Sequence, residues 1–139
     1  MSVSEPTQAE SRDSVLIVDD DPLARTVLAD YLRECGYKVF EAAAADEALV
    51  ILEQSNRNID IVFSVAQIAG KTDGFGLARW VRSNRPDIDV VLVGNIEKAA
   101  SSAADLCEDG PTLAKPYHHP SVIALVNRLK LARQRHRSE

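Results

Sequence analysis

The chain has 139 residues, of which 45% are hydrophobic and 27% are charged, and its formal net charge at pH 7 is −5. This length suits one compact domain with short tails, large enough to bury a single core. No apolar run approaches the roughly 20 residues that a membrane helix requires. Residues 1–13 lack the apolar stretch of a secretory signal. We therefore expect a cytoplasmic protein that makes no contact with a membrane.

Charge is distributed unevenly along the chain. The last twelve residues hold five basic side chains and one acidic side chain, a net charge of +4, so the preceding residues carry −9. An acidic body argues against a domain that wraps nucleic acid. We expect no nucleic-acid partner, whereas the basic end leaves room for a local contact with an acidic partner.

The two cysteines, Cys35 and Cys107, are far apart and lack the spacing of metal ligands. Both lie within apolar patterns typical of helices, where a free cysteine behaves as a small buried hydrophobe. We therefore expect two buried free thiols.

The first predicted elements are a strand and a helix. Residues 14–18, SVLIV, form a short apolar run followed by three aspartates, and such a run suits a central parallel strand covered on both faces. Asp21 and Pro22 predict a helix start, because aspartate caps free amides and proline is tolerated at the first helical position. Apolar residues three and four apart continue to Cys35, and Gly36 ends the helix.

The alternation of strand and helix then continues along the chain. The further predicted strands are residues 38–40, 59–65, 89–93 and 112–114. The further predicted helices are residues 46–54, a helix through 77–81, residues 96–107 and a closing helix marked by 122–129. Five strands alternating with five helices predict an α/β fold with a parallel sheet and helices on both faces. Right-handed crossovers favour a flavodoxin-like (βα)5 three-layer sandwich with strand order 2-1-3-4-5.

The predicted domain occupies residues 14–131. Residues 1–13 are small, polar and without periodicity, which is typical of a disordered tail. Residues 132–139 are assigned to a basic C-terminal tail.

Three segments, in order, resemble the response-regulator receiver domains of two-component signalling. They are VLIVDDDPLAR (residues 15–25), DIVFSVAQIAGKTDGFGLARWVR (residues 60–82) and LAKPY (residues 113–117). The resemblance covers nearly everything but the tails. It implies a phosphoryl-transfer site at the carboxyl ends of the strands, where a carboxylate acceptor is held beside Mg²⁺.

The resemblance assigns the charged part of this site to three residues. Asp19 and Asp20 match the acidic pair of the family, with Asp20 as the direct metal ligand. Lys115 matches the lysine that neutralises the phosphoryl oxygens. Asp21 is expected to be a helix cap rather than a ligand.

The other positions of the site depart from the family pattern. The acceptor position is Val65, which has no oxygen to phosphorylate, and the position of the phosphate-sensing hydroxyl is Gly94. The position of the switch aromatic is Thr112. We therefore expect a pseudo-receiver with no catalytic residue and no required cofactor. Asp19, Asp20 and Lys115 would remain as an acidic pocket with at most weak Mg²⁺ binding.

Two alternatives remain open. One is a working phospho-receiver with an unconventional acceptor, although the neighbours Ser64 and Ala66 supply no acid and Ser64 is expected to point toward the core. The other is a metal-dependent phosphate-handling enzyme that uses Asp19 and Asp20. It would lack a nucleophile, a glycine-rich phosphate loop and a third metal ligand.

The resemblance also implies a protein partner from a two-component or phosphorelay pathway, such as a histidine kinase or a response regulator. In the family, the face formed by the fourth helix, fifth strand and fifth helix is the usual docking and dimerisation surface. Here that face would carry Ala99, Ala100, Ala103, Thr112 and Tyr117, and a homodimer would use it. The alternative is that the Ala/Ser-rich fourth helix is simply packed through its small side chains. We expect phosphorylation-independent protein–protein binding and no enzyme activity.

Overall fold

The computed structural model describes residues 14–54, 58–68, 70–108 and 119–138. The described strands are β1 (Ser14–Val18), β2 (Lys38–Ala42), β3 (Ile61–Val65) and β4 (Asp89–Val93). The helices are α1 (Pro22–Glu34), α2 (Ala45–Glu53), α3 (Gly74–Asn84), α4 (Ile96–Glu108) and α5 (His119–Ser138). The predicted alternation is confirmed for these elements. The predicted fifth strand, residues 112–114, lies outside the described residues.

The four described strands form one parallel sheet in the order β2-β1-β3-β4. Val15 of β1 lies opposite Val39 of β2 on one side and Ile61 of β3 on the other. Every residue of β1 is buried, as its uninterrupted apolar run predicted. The strand order is therefore confirmed as far as the described strands reach.

Alternate side chains of the strands point to opposite faces of the sheet and belong to two hydrophobic cores. Val15, Ile17 and Phe63 pack against α1, α4 and α5 on one face of the sheet. Leu16 and Val62 pack against α2 and α3 on the other face. The result is the three-layer α/β sandwich that the sequence predicted.

The α4 helix uses its small side chains to pack inside the molecule. Ala99, Ala100 and Ala103 are only 5%, 0% and 0% exposed, and they belong to the same core as residues of α1 and α5. Our expectation that these alanines form a partner surface is wrong, because their size lets neighbouring helices approach closely and cover them. Thr112 and Tyr117, the other predicted members of that surface, lie outside the described residues.

The α5 helix runs to Ser138, so it takes in most of the segment that we assigned to a basic tail. Leu125 and Leu129 anchor it in the core, and Ala132 is also buried. Lys130 forms an ion pair with Glu97 in the first turn of α4, with 3.4 Å between Nζ and Oε2. The later turns of α5 therefore lie at the carboxyl edge of the sheet, where α4 begins.

Cys35 and Cys107 form a disulfide, with their Cα atoms 5.6 Å apart. The prediction of two free thiols is therefore wrong. Cys107 is buried on α4, and Cys35 directly follows α1 and is partly buried against the same core. The packing of the end of α1 against the end of α4 brings them together. Within the described part of the chain, no helix combines the length and the apolar character needed to cross a membrane.

Candidate functional site

The carboxyl edge of the sheet brings together residues that end or follow three strands. Because the strands are parallel and in register, Asp19, Val65 and Gly94 lie along one edge. The backbone N–H of Ala66 donates a 2.9 Å hydrogen bond to the carbonyl of Val93, which joins the ends of β3 and β4. A cavity of about 380 Å³ opens at this edge, and Val65, Gly94 and Arg133 contribute to its lining.

Asp19 is fully buried and both of its carboxylate oxygens are engaged. Its Oδ1 accepts a 3.0 Å hydrogen bond from the backbone N–H of Asp21. Its Oδ2 accepts a 2.9 Å hydrogen bond from Nη2 of Arg133. Burial raises the pKa of Asp19 above its ordinary value of 3.8, and it outweighs the lowering by the Asp21 amide and by the Arg133 guanidinium. Desolvation therefore dominates the electrostatics of this carboxylate.

Asp21 caps α1, as the sequence predicted. Its Oδ1 accepts hydrogen bonds from the backbone N–H groups of Leu23 and Ala24, at 3.1 and 3.2 Å. Its Oδ2 lies 3.1 Å from Nε of Arg133. That N–H has no hydrogen-bond partner among the described residues, so the attraction between Arg133 and Asp21 is Coulombic. Asp21 thus stabilises both the start of α1 and the position of α5.

A second arginine, Arg25, also contacts the end of β1. Nη1 of Arg25 donates a 2.8 Å hydrogen bond to the backbone carbonyl of Asp19, and its Nε pairs with Oε1 of Glu41 at 3.1 Å. Asp20, between the two buried aspartates, is exposed. The structure therefore places Asp19 and Asp20 at the predicted edge, in different surroundings. Lys115 lies outside the described residues.

Val65 ends β3, as predicted, and it is half-buried against both cores. The neighbouring Ser64 is fully buried, and its Oγ donates a 2.9 Å hydrogen bond to the Val65 carbonyl. Asp60 accepts a 3.1 Å hydrogen bond from the backbone N–H of Ser14, which places Asp60 at the opposite edge of the sheet. Neither side chain can take the position of Val65.

The start of α3 is pressed against the end of β3. Asp73 caps this helix, because its carboxylate accepts a 2.9 Å hydrogen bond from the N–H of Gly76. The N–H of Gly74 donates a 3.0 Å hydrogen bond to the carbonyl of Ala66. A Cβ on residue 74 would collide with the carbonyl oxygen of Val65. Glycine is therefore required here by close approach of the backbone.

Arg133 is the functional residue that sequence reasoning missed. The sequence pattern places Arg133 in a basic tail, whereas in the structure its guanidinium contacts Asp19 and Asp21. Its spacing carried a signal, since Arg133 follows Leu125 by eight residues and Leu129 by four. Such spacing places all three on one helix face, which is the face turned toward the domain.

Comparison with known proteins agrees with this architecture. The sequence model of the response regulator receiver domain matches residues 15–127 of the chain. The chain belongs to this family. Receiver domains of this family are modules of two-component signalling systems.

This receiver domain is similar to parts of larger signalling proteins. Sensor kinase CckA from Brucella abortus is 34% identical over 98 residues, which are 70% of this chain and 10% of the kinase. The nitrogen assimilation regulatory protein NtrX from Azorhizobium caulinodans is 29% identical over 118 residues, which are 82% of this chain and 25% of that protein. The chain spans between 10% and 33% of the length of these and similar curated relatives.

A solved structure shows the same similarity. The signal receiver domain of an HD domain-containing protein from Pseudomonas fluorescens Pf-5 superposes with a TM-score of 0.55 at 25% identity. The superposition covers 92% of this chain and 99% of that one. The flavodoxin-like fold of this receiver domain is therefore shared along nearly the whole of both chains.

The residues at the carboxyl edge do not fit the Mg²⁺ ion that the family implies. Magnesium takes oxygen ligands in a near-octahedral shell, but Oδ2 of Asp19 is bonded to Arg133 and the side chain of Val65 offers no oxygen. Within the described ranges, no three His, Cys, Asp or Glu side chains are grouped so that they could hold a metal.

Proposed function

We propose that this receiver domain transmits a signal by binding a protein partner without being phosphorylated. The single observation that carries the proposal is Val65 at the end of β3, where the family places its phosphate-accepting aspartate. Phosphoryl transfer requires an oxygen nucleophile held beside a neutralising cation. A valine side chain supplies no such oxygen, and we propose that the chain is a pseudo-receiver and not an enzyme.

The described residues nearest to Val65 along the chain support this proposal, because none of their hydroxyl or carboxyl groups can take the place of its side chain. Ser64 is buried and bonded to the local backbone. Asp60 lies at the other edge of the sheet, and Asp73 caps α3. Gly94, at the end of β4, has no hydroxyl with which to report a phosphate.

The proposed partner is another protein of a two-component pathway, such as a sensor kinase or a second response regulator. Because the alanines of α4 are buried, we propose the outer face of α5 as the contact surface. Ile123 and Leu131 are 54% and 53% exposed, and Arg128 and Arg135 are exposed on the same helix. Such a face suits a partner with an apolar centre and an acidic rim.

We also propose a cytoplasmic location, in keeping with such partners. Disulfides are rare in that compartment and are usually redox-sensitive there. The location is tested by trapping thiols in intact cells with an alkylating agent and measuring the oxidation state of Cys35 and Cys107. If the two cysteines are fully oxidised in cells whose cytoplasm is reducing, the protein would lie in an oxidising compartment, against this proposal.

The proposed function is tested by incubating the protein with Mg²⁺ and acetyl phosphate and measuring its intact mass. A receiver domain that carries an aspartate acceptor is the control, and it should gain one phosphoryl group, about 80 Da. We expect the present chain to remain at its unmodified mass. An adduct of this mass would contradict the proposal and would favour an unconventional acceptor, which peptide mapping would then locate.

The binding half of the proposal has its own test. The Ile123→Asp and Leu131→Asp variants should lose partner capture by an immobilised kinase or response regulator of the same organism. Val50→Asp is the matched control, because Val50 is also an exposed apolar residue, 57% exposed, but lies on α2. Equal capture by all variants would contradict the assignment of the surface to α5.

A further inference from the structure

We infer that Arg133 is the built-in cation of the acidic pocket, where its guanidinium takes the place beside Asp19 that a divalent metal ion would need. This inference goes beyond the proposed function. It concerns what occupies the pocket and does not depend on whether the chain accepts phosphate.

Both carboxylate oxygens of Asp19 already have a hydrogen-bond donor, and for one of them the donor is a cation. Its Oδ2 lies 2.9 Å from Nη2 of Arg133, and its Oδ1 accepts the backbone N–H of Asp21. A divalent ion bound at Oδ2 would have to displace the guanidinium or lie next to it as a like charge. Either event is unfavourable inside a site where Asp19 is fully buried.

The position of the guanidinium is fixed by the packing of α5. Leu129, one turn earlier, is buried in the core, and Ala132 is buried beside it. Lys130, in the same turn, forms a further ion pair with Glu97 of α4. The planar guanidinium bridges two carboxylates, at 2.9 Å to Asp19 and 3.1 Å to Asp21, so it offsets part of the negative charge of the pocket.

The same contact holds α5 against the end of β1. Asp19 and Arg133 are 114 residues apart in the chain, and the pair joins the first strand to the last helix. Loss of the guanidinium would therefore do two things together. It would open the pocket to other cations, and it would loosen α5, whose outer face carries Ile123 and Leu131.

The first test is a double-mutant cycle on urea unfolding with Asp19→Asn, Arg133→Gln and the double variant. Arg135→Gln is the control, because Arg135 is exposed on the same helix and has no ion pair among the described residues. We expect Arg133→Gln to lower the urea midpoint by roughly 1 M, and Arg135→Gln to leave it unchanged. The double variant should lose clearly less than the sum of the single losses. Additive losses would overturn the inference.

The second test measures the exclusion of metal directly, by Mn²⁺ electron paramagnetic resonance on Val65→Asp with and without Arg133→Gln. We expect the variant that lacks the guanidinium to bind Mn²⁺ roughly tenfold more tightly or better. Equal affinity in the two proteins, or no binding in either, would show that Arg133 is not what excludes the metal. Arg133→Met, which also removes the positive charge but keeps an unbranched apolar stem, replaces Arg133→Gln if that variant does not fold.

Discussion

Cys35, at the end of α1, is joined by a disulfide to Cys107, near the end of α4, 72 residues further along the chain. Beside this bond, the phenol of Tyr37 donates a 2.7 Å hydrogen bond to the backbone carbonyl of Leu106. Two helices on the same face of the sheet are thus held together at the same end. The covalent bond closes most of the domain into a loop.

Reduction of the disulfide should destabilise the domain. A cross-link over 72 residues raises the free energy of the unfolded chain by about 4 kcal/mol, because it removes conformational entropy from that chain. We expect urea unfolding in dithiothreitol to give a free energy of unfolding lower by up to that amount. The Cys35→Ser/Cys107→Ser variant should resemble the reduced protein and should not respond to dithiothreitol. If reductant leaves the parent unchanged, the two sulfurs are not bonded in solution.

Substitution of Gly74 should test the close approach of α3 to β3. The Cβ of Gly74→Ala would collide with the carbonyl oxygen of Val65 and would lie 2.9 Å from Cα of Ala66. We expect a loss of about 2 kcal/mol in the free energy of unfolding, as for other overpacked sites.

Gly94→Ala is the matched control for this substitution. Gly94 also lies at the carboxyl edge, but a Cβ on it would meet no atom within 4 Å. The Gly94→Ala variant should be as stable as the parent, or slightly more stable because the unfolded chain loses conformational freedom. If Gly74→Ala proves as stable as Gly94→Ala and the parent, the end of β3 is more open than the structure shows.

The raised pKa of Asp19 predicts a specific pH dependence. Because its folded pKa lies above the ordinary 3.8 through burial, the native protein holds this proton more tightly than the unfolded chain does. The free energy of unfolding should therefore fall as pH rises from below 3.8 through the folded pKa, and then level off.

Asp19→Asn tests this contribution, because it removes the titrating carboxyl group and keeps a side chain of nearly the same size. The difference in the free energy of unfolding, parent minus variant, should decrease over that interval in urea titrations from about pH 3.5 to about pH 7. A difference that grows with pH would show that the ion pair with Arg133 outweighs burial.

Charge placed on the inner face of α4 should disrupt the fold. Ala100 is fully buried, so Ala100→Arg would bury an unpaired cation in the core and should cost several kcal/mol or prevent folding. Ser101 is exposed one residue later, and Ser101→Arg should stay within about 0.5 kcal/mol of the parent. Circular dichroism during thermal melting would distinguish the two. If the Ala100→Arg protein is stable, the burial of Ala100 would be contradicted, and this face of α4 would again be a candidate partner surface.

Local patterns in the sequence determined most of the fold. The apolar run of β1, the Asp21 cap and the placement of Val65 at the end of β3 could all be predicted. Each depends on side-chain periodicity or on hydrogen bonds between residues a few positions apart. The paired position of Asp19 and Val65 at one edge followed from the parallel order of the strands.

Only the tertiary structure decided which distant residues meet. It buried Ala99, Ala100 and Ala103 against α1 and α5, bonded Cys35 to Cys107, and brought Arg133 onto Asp19. The physical reason is that an Ala-rich helix, a lone cysteine or a basic residue fits several surroundings equally well by composition. The choice among them depends on how whole helices pack, and residues 72 and 114 positions apart share no local pattern that could reveal it.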